Sequence, residues 1–128
     1  MLPDLKYRNL WLSIGWGLVF LVIYLSLTPN PPQPVDFNQV DKLEHFSVYA
    51  ILMLWFCQIY WGMRQRVRLA LSLAAMGVLM EFLQKLGGVR MFEYADMLAN
   101  ATGVLIGWGL GQTALKQSLY YVEQKISP

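Results

Sequence analysis

Residues 10–27 run for 18 positions without a charged side chain. A run of that length is either a core helix surrounded by protein or a segment that crosses a bilayer, which takes about 20 mainly apolar residues. With 128 residues in all, little protein is left to surround such a helix. The rest of the sequence agrees: apolar types make up 56% and charged types 14%, where a soluble domain carries roughly 25% charged residues. Three further runs qualify or nearly qualify as spans: 45–61; 69–86, interrupted by Glu81, Gln84 and Lys85; and 95–114, with Asp96 and Asn100 near its start. The expected fold is all-α, a single domain over 1–128 forming an integral membrane four-helix bundle with a short amphipathic C-terminal helix. Lys6 and Arg8 precede the first run as in a signal peptide. Its length, and Leu25 and Leu27 where small residues would mark cleavage, make it a retained helix.

The connections carry their own signals. The first, 28–44, opens with Thr28-Pro29-Asn30-Pro31-Pro32-Gln33-Pro34, which cannot continue a helix and favours an extended, semi-rigid segment. Asp36 with Gln39 has the spacing of a helix-capping pair. The second, 62–68, is short, so the second and third helices are expected to form an antiparallel hairpin. The third, 87–94, begins with a Gly87-Gly88 helix stop.

Lys and Arg concentrate on the cytoplasmic side of membrane proteins. Lys6, Arg8, Arg64, Arg66, Arg68, Lys116 and Lys125 fall on one side of the expected topology, seven against three (Lys42, Lys85, Arg90) on the other. Both termini and the second connection are therefore expected in the cytoplasm. Tyr60 and Trp61 then fall at the inner interface, Phe92 and Tyr94 at the outer one. After the fourth helix, Leu115, Leu119, Val122 and Ile126 recur at helical spacing while Lys116, Glu123 and Lys125 take other faces. That pattern fits a helix on the inner membrane surface or one that docks a protein partner. A net charge of +2 without a basic cluster excludes nucleic acid as a partner. Cys57, the single cysteine, excludes an internal disulfide and reads as a small buried hydrophobe.

Helix alternation gives the polar residues a location. Asp41, Lys42, His45, Glu81, Gln84, Arg90, Asp96 and Asn100 all come to the outer side, and nothing comparable is expected on the cytoplasmic side. Asp41, His45 and Tyr49 are spaced to share one helical face, as are Glu81 and Gln84. Asp96, Asn100, Gly103, Gly107 and Gly111 form a stripe, the glycines in a small-xxx-small pattern that lets helices approach closely. Glu81 is the sharpest signal, because an intramembrane ionisable group is costly and by default functional. Its bland reading is a structural pair with Arg90, Lys85 or Lys42. His45 with Asp41 reads as an oriented acid–base or as an interfacial hydrogen bond; Asp96 reads as a helix cap. Asn100 reads foremost as helix glue. One histidine without supporting spacing gives no metal site, no cofactor motif is present, and no G-x-S-x-G, phosphate loop or Cys-x-x-Cys occurs.

Taken together, Asp41-Lys42-x-x-His45-x-x-x-Tyr49, Glu81-x-x-Gln84, Arg90, Asp96-x-x-x-Asn100-x-x-Gly103 and Gly107 resemble the VanZ-like family of bacterial membrane proteins. The resemblance runs from Ser26-Leu27-x-Pro29 to the end of the fourth helix. It implies a multi-pass protein of the bacterial inner membrane with an envelope-related activity, in a family whose named member is associated with resistance to teicoplanin. It carries no reaction mechanism. Three functions follow as expectations. The first is binding of a lipid or cell-wall-precursor head group by Asp41, Lys42, His45, Tyr49, Glu81, Gln84, Arg90, Asp96 and Asn100. The second is a membrane hydrolase or transferase with His45, Glu81 or Asp96 as catalytic candidates. The third is a structural or assembly subunit of a membrane complex.

Overall fold

The structure is a computed structural model describing residues 5–27, 38–86 and 94–126; for 38–45, 84 and 94–96 it describes the backbone alone. Each apolar run forms a helix, with ends displaced from the sequence expectation. In chain order these are α1 (Arg8–Leu27), α2 (Asn38–Cys57), α3 (Met63–Leu86) and α4 (Tyr94–Leu110), followed by a 3-10 turn (Ala114–Gln117) and α5 (Ser118–Ile126). Among the described residues there is no strand. The proline-rich segment with Asp36, and the Gly87-Gly88 loop with Arg90 and Phe92, lie outside the described residues.

The displaced ends have chemical causes. α2 stops at Cys57 rather than running to Trp61, and α3 starts at Met63 rather than Leu69. Arg64, Arg66 and Arg68 therefore lie on the first turns of α3, not in a connection. The last carbonyls of a helix lack intrahelical donors. Arg66 reaches back to supply them: Nη2 donates to the Cys57 carbonyl (2.7 Å) and Nε to the Tyr60 carbonyl (2.9 Å). Its positive charge also opposes the negative end of α2. α4 ends at Leu110 rather than Ala114, and Thr113 starts the next turn by accepting from the Leu115 amide through its hydroxyl (3.2 Å).

Contacts along the helices fix their directions. Gly103 and Gly107 of α4, and Gly111 just after it, lie against Phe46, Ala50 and Cys57 of α2, in ascending order, so α2 and α4 are parallel. Trp11 and Gly15 at the start of α1 meet Trp55 and Phe56 near the end of α2, so α1 is antiparallel to both. Gly77 packs on Asn100, and Arg66 lies near Gln112, so α3 is antiparallel to α4. The start of α1, the end of α2, the start of α3 and α5 therefore gather at one end of the bundle. The core between the helices is Val19, Tyr49, Leu52, Met53, Phe56, Cys57, Leu73 and Val104.

Membrane spanning by length and composition holds for fewer helices than expected. Among the described residues only α1 passes that test, at a mean hydropathy of 2.1. α2 and α4 offer the shorter apolar stretches Phe46–Cys57 and Met97–Leu110. α2 begins with Asp41, Lys42, Glu44 and His45, and α3 carries Arg64, Arg66 and Arg68 in its first turns and Glu81 and Lys85 near its end.

A Cβ added at Gly103 or Gly107 would run into the Phe46 or Ala50 carbonyl oxygen, backbone atoms that cannot turn aside. One added at Gly109 meets nothing. Gly107→Ala is expected to destabilise the detergent-solubilised protein by about 1–3 kcal/mol through overpacking. Gly109→Ala is expected to be neutral or slightly stabilising, since alanine is the better helix former. Thermal unfolding of the two variants side by side checks this.

Candidate functional site

Polar side chains are buried at both ends of the bundle. Toward the end formed by the start of α2 and the end of α3, three helices each bury one polar residue: Tyr49 of α2, Glu81 of α3 and Asn100 of α4, at 3%, 1% and 2% exposure. The shared depth follows from helix geometry. Glu81 is five residues before the end of α3, about 7–8 Å along the axis. It lies one turn beyond Gly77, and a Cβ at Gly77 would sit 2.9 Å from Asn100 Nδ2. The missing side chain at Gly77 is thus what admits Asn100 to the face of α3 that carries Glu81. Tyr49 follows Phe46 by one turn on the side of α2 that α4 approaches.

The other sequence-predicted site residues are placed less fully. Positions 41, 42 and 45 lie in the first turns of α2, 84 in the last turn of α3 and 96 in the first turn of α4. The side chains of Asp41, Lys42, His45, Gln84 and Asp96, and all of Arg90, lie outside the described residues. Of the nine expected ligand-binding residues, the described side chains bring together Tyr49, Glu81 and Asn100.

The expectation that no comparable polar group gathers at the end holding the chain termini is overturned. Gln58, Arg66 and Glu123 are buried there at 7%, 3% and 0% exposure. Glu123 of α5 accepts from the backbone amides of Lys6 (2.9 Å) and Tyr7 (2.8 Å) and from the Trp11 indole (2.6 Å). The Gln58 side-chain oxygen accepts from the Leu119 amide at 2.8 Å, fastening α5 to the end of α2. The Gln112 side-chain oxygen, with its amide turned to suit its neighbours, accepts from Trp108 Nε1 (2.9 Å) and Arg66 Nη1 (3.3 Å). Its charge puts Glu123 on an outer face of the C-terminal helix when the sequence is read alone, but it faces inward together with Leu119, one turn before it. The signal available in the sequence is the i, i+4 spacing of Leu119 and Glu123, which shows a shared face but not its direction.

The Glu123 carboxyl experiences opposing influences. Burial raises its pKa, and three N–H donors with the Lys6 charge lower it further than burial raises it, leaving it below the usual carboxylate value. A group that binds protons more weakly in the folded chain contributes its full stability above the unfolded value and loses it as pH falls through the folded one. The clasp between α5 and the start of α1 is therefore expected to hold at neutral pH and to weaken on acidification below the usual carboxylate range.

Neither models of protein families, nor curated proteins, nor solved structures give a match to this chain.

Glu123→Ala removes the acceptor shared by three donors. Leaving a buried donor unpaired costs about 1–3 kcal/mol, so a clear loss of thermal stability is expected. Limited proteolysis should release the C-terminal helix first, while α2 and α4 stay protected.

Proposed function

We propose that the chain is a VanZ-like protein of the bacterial inner membrane. Its four helices cross the bilayer with both termini in the cytoplasm, and an extracytoplasmic polar site around Glu81 holds a lipid or cell-wall-precursor head group. The distribution of polarity supports the membrane reading. Leu10, Trp16, Phe20, Tyr24 and Leu25 of α1 are each at least half exposed, as are Leu71, Leu79 and Leu86 of α3 and Leu98 and Leu105 of α4. Isolated exposed apolar residues are ordinary in soluble proteins, but large contiguous ones mark an interface or a membrane. Tyr49, Gln58, Arg66, Glu81, Asn100 and Glu123 are buried, as expected when lipid rather than water surrounds the helices.

The observation that carries the site is Glu81, an acid at 1% exposure beside Tyr49 and Asn100, within two turns of the helix ends that bear Asp41, His45, Gln84 and Asp96. A carboxylate, a phenol and an amide at one depth offer acceptors and donors to hydroxyl, amine or amide groups of a head group. The packing of Asn100 on Gly77 gives that residue a helix-stapling role as well.

Native mass spectrometry of protein extracted from bacterial membranes is expected to find a specific polar lipid or precursor retained by the wild type and lost from Glu81→Gln, with both variants equally folded. Equal retention, or no retained molecule in either, contradicts the binding reading.

A further inference from the structure

The C-terminal helix turns only part of its surface to the bundle. Leu119 and Glu123 are buried, while Val122 and Ile126, which share a neighbouring face, are 42% and 66% exposed. Gln124 points to the side away from them. The height of α5 relative to the bundle is fixed. Glu123 holds it to the first residues of α1, and Gln58 holds it to the end of α2. The apolar strip of α5 is thereby kept level with the place where the long apolar helix α1 begins.

Among the described residues, the exposed charges at that level have one sign. Lys6, Arg8, Arg64, Arg68 and Lys125 are exposed there. Two aromatic rings lie under cations, with Arg8 5.2 Å from the Tyr60 ring centroid and Lys116 5.1 Å from that of Trp61. The described acid at this end, Glu123, is buried and occupied by its three donors. An apolar strip, a ring of cations and amphipathic aromatics at one depth match the layered chemistry of a bilayer interface whose phosphates are negative.

We infer that α5 is an in-plane interfacial helix that inserts Val122 and Ile126 into the acyl boundary, and that its Lys125 and Lys116 of the preceding 3-10 turn bind anionic phospholipid head groups. This rests on the membrane reading above. The cations at this end make phospholipid the occupant of the strip, rather than a second copy of the same cationic face.

The test uses the full chain in nanodiscs of equal parts phosphatidylcholine and phosphatidylglycerol, with spin labels at Val122→Cys, Ile126→Cys, Gln124→Cys and, as a membrane control, Leu105→Cys. Cys57 is fully buried and stays in place. Labels at 122, 126 and 105 are expected to meet oxygen several-fold more than an aqueous nickel chelate, and the label at 124 the reverse. If 122 and 126 behave like 124 while 105 stays oxygen-accessible, the inference fails and the membrane reading stands. Loss of oxygen preference at 105 overturns both. Strong spin–spin broadening at 122 shows a second copy on the strip and overturns the lipid assignment. Lys116→Gln with Lys125→Gln is expected to lower the retained ratio of phosphatidylglycerol to phosphatidylcholine by roughly fivefold for each charge removed. An unchanged ratio overturns the anionic preference.

Discussion

The backbone approach of α4 to α2 is the contact on which the remaining arrangement depends. Gly103 and Gly107 carry no side chain where the Phe46 and Ala50 carbonyls arrive, and Gly111 leaves room for Cys57. Two parallel helices at that spacing need an antiparallel helix between them in sequence, and α3 supplies it through a short link over residues 58–62. With α2, α3 and α4 so fixed, Tyr49, Glu81 and Asn100 have little choice of depth. Gly77 completes the set by letting Asn100 lie flat on α3. Glycine costs helix stability in an isolated chain, and close packing of two backbones over several turns offsets that cost.

Among the described residues, polar groups are buried at both ends of the bundle. At the end holding both chain termini, described polar groups are matched donor to acceptor: Arg66 to the carbonyls closing α2, Gln58 to Leu119, and Glu123 to the first residues of α1. Such fully satisfied networks give rigidity and a unique arrangement. They explain why the polar residues here serve as fasteners. At the opposite end a carboxylate, a phenol and an amide are buried together beneath helix termini rich in ionisable positions.

The all-helical class is readable because the apolar runs are long, with few polar interruptions, which neither strands nor loops would require. Helix boundaries are less readable. Arg64, Arg66 and Arg68 look like a loop when charge is taken to mean solvent, yet Arg66 folds back onto the preceding helix and its neighbours extend α3 outward. Glu123 is misplaced for a related reason. Periodicity assigns a polar residue to the wet side of a helix, and only the amides of Lys6 and Tyr7, distant in sequence, turn it inward. In the candidate site, the shared depth of Glu81 and Asn100 can be counted from helix lengths. The part played by Gly77 cannot, because a glycine in a helix does not say what approaches it. Hydropathy averaging also separates α2 and α3 from α1 and α4, since charges near the helix ends count equally with charges at mid-span.

The central claim is that the exposed apolar faces of α3 and α4 lie in lipid although α4 is short and the average hydropathy of α3 is modest. The most direct measurement is reaction of single cysteines with a membrane-impermeant maleimide in intact membranes, placed at Leu71, Leu79, Leu105 and Ile106 and compared with Arg64. Thiols react as thiolates, which form in water and not in hydrocarbon. The account predicts that the four apolar positions stay unlabelled until the protein is denatured out of the membrane, while position 64 labels readily once its side of the membrane is opened. Labelling of positions 71, 79, 105 and 106 at the rate of position 64 in the native membrane would contradict it.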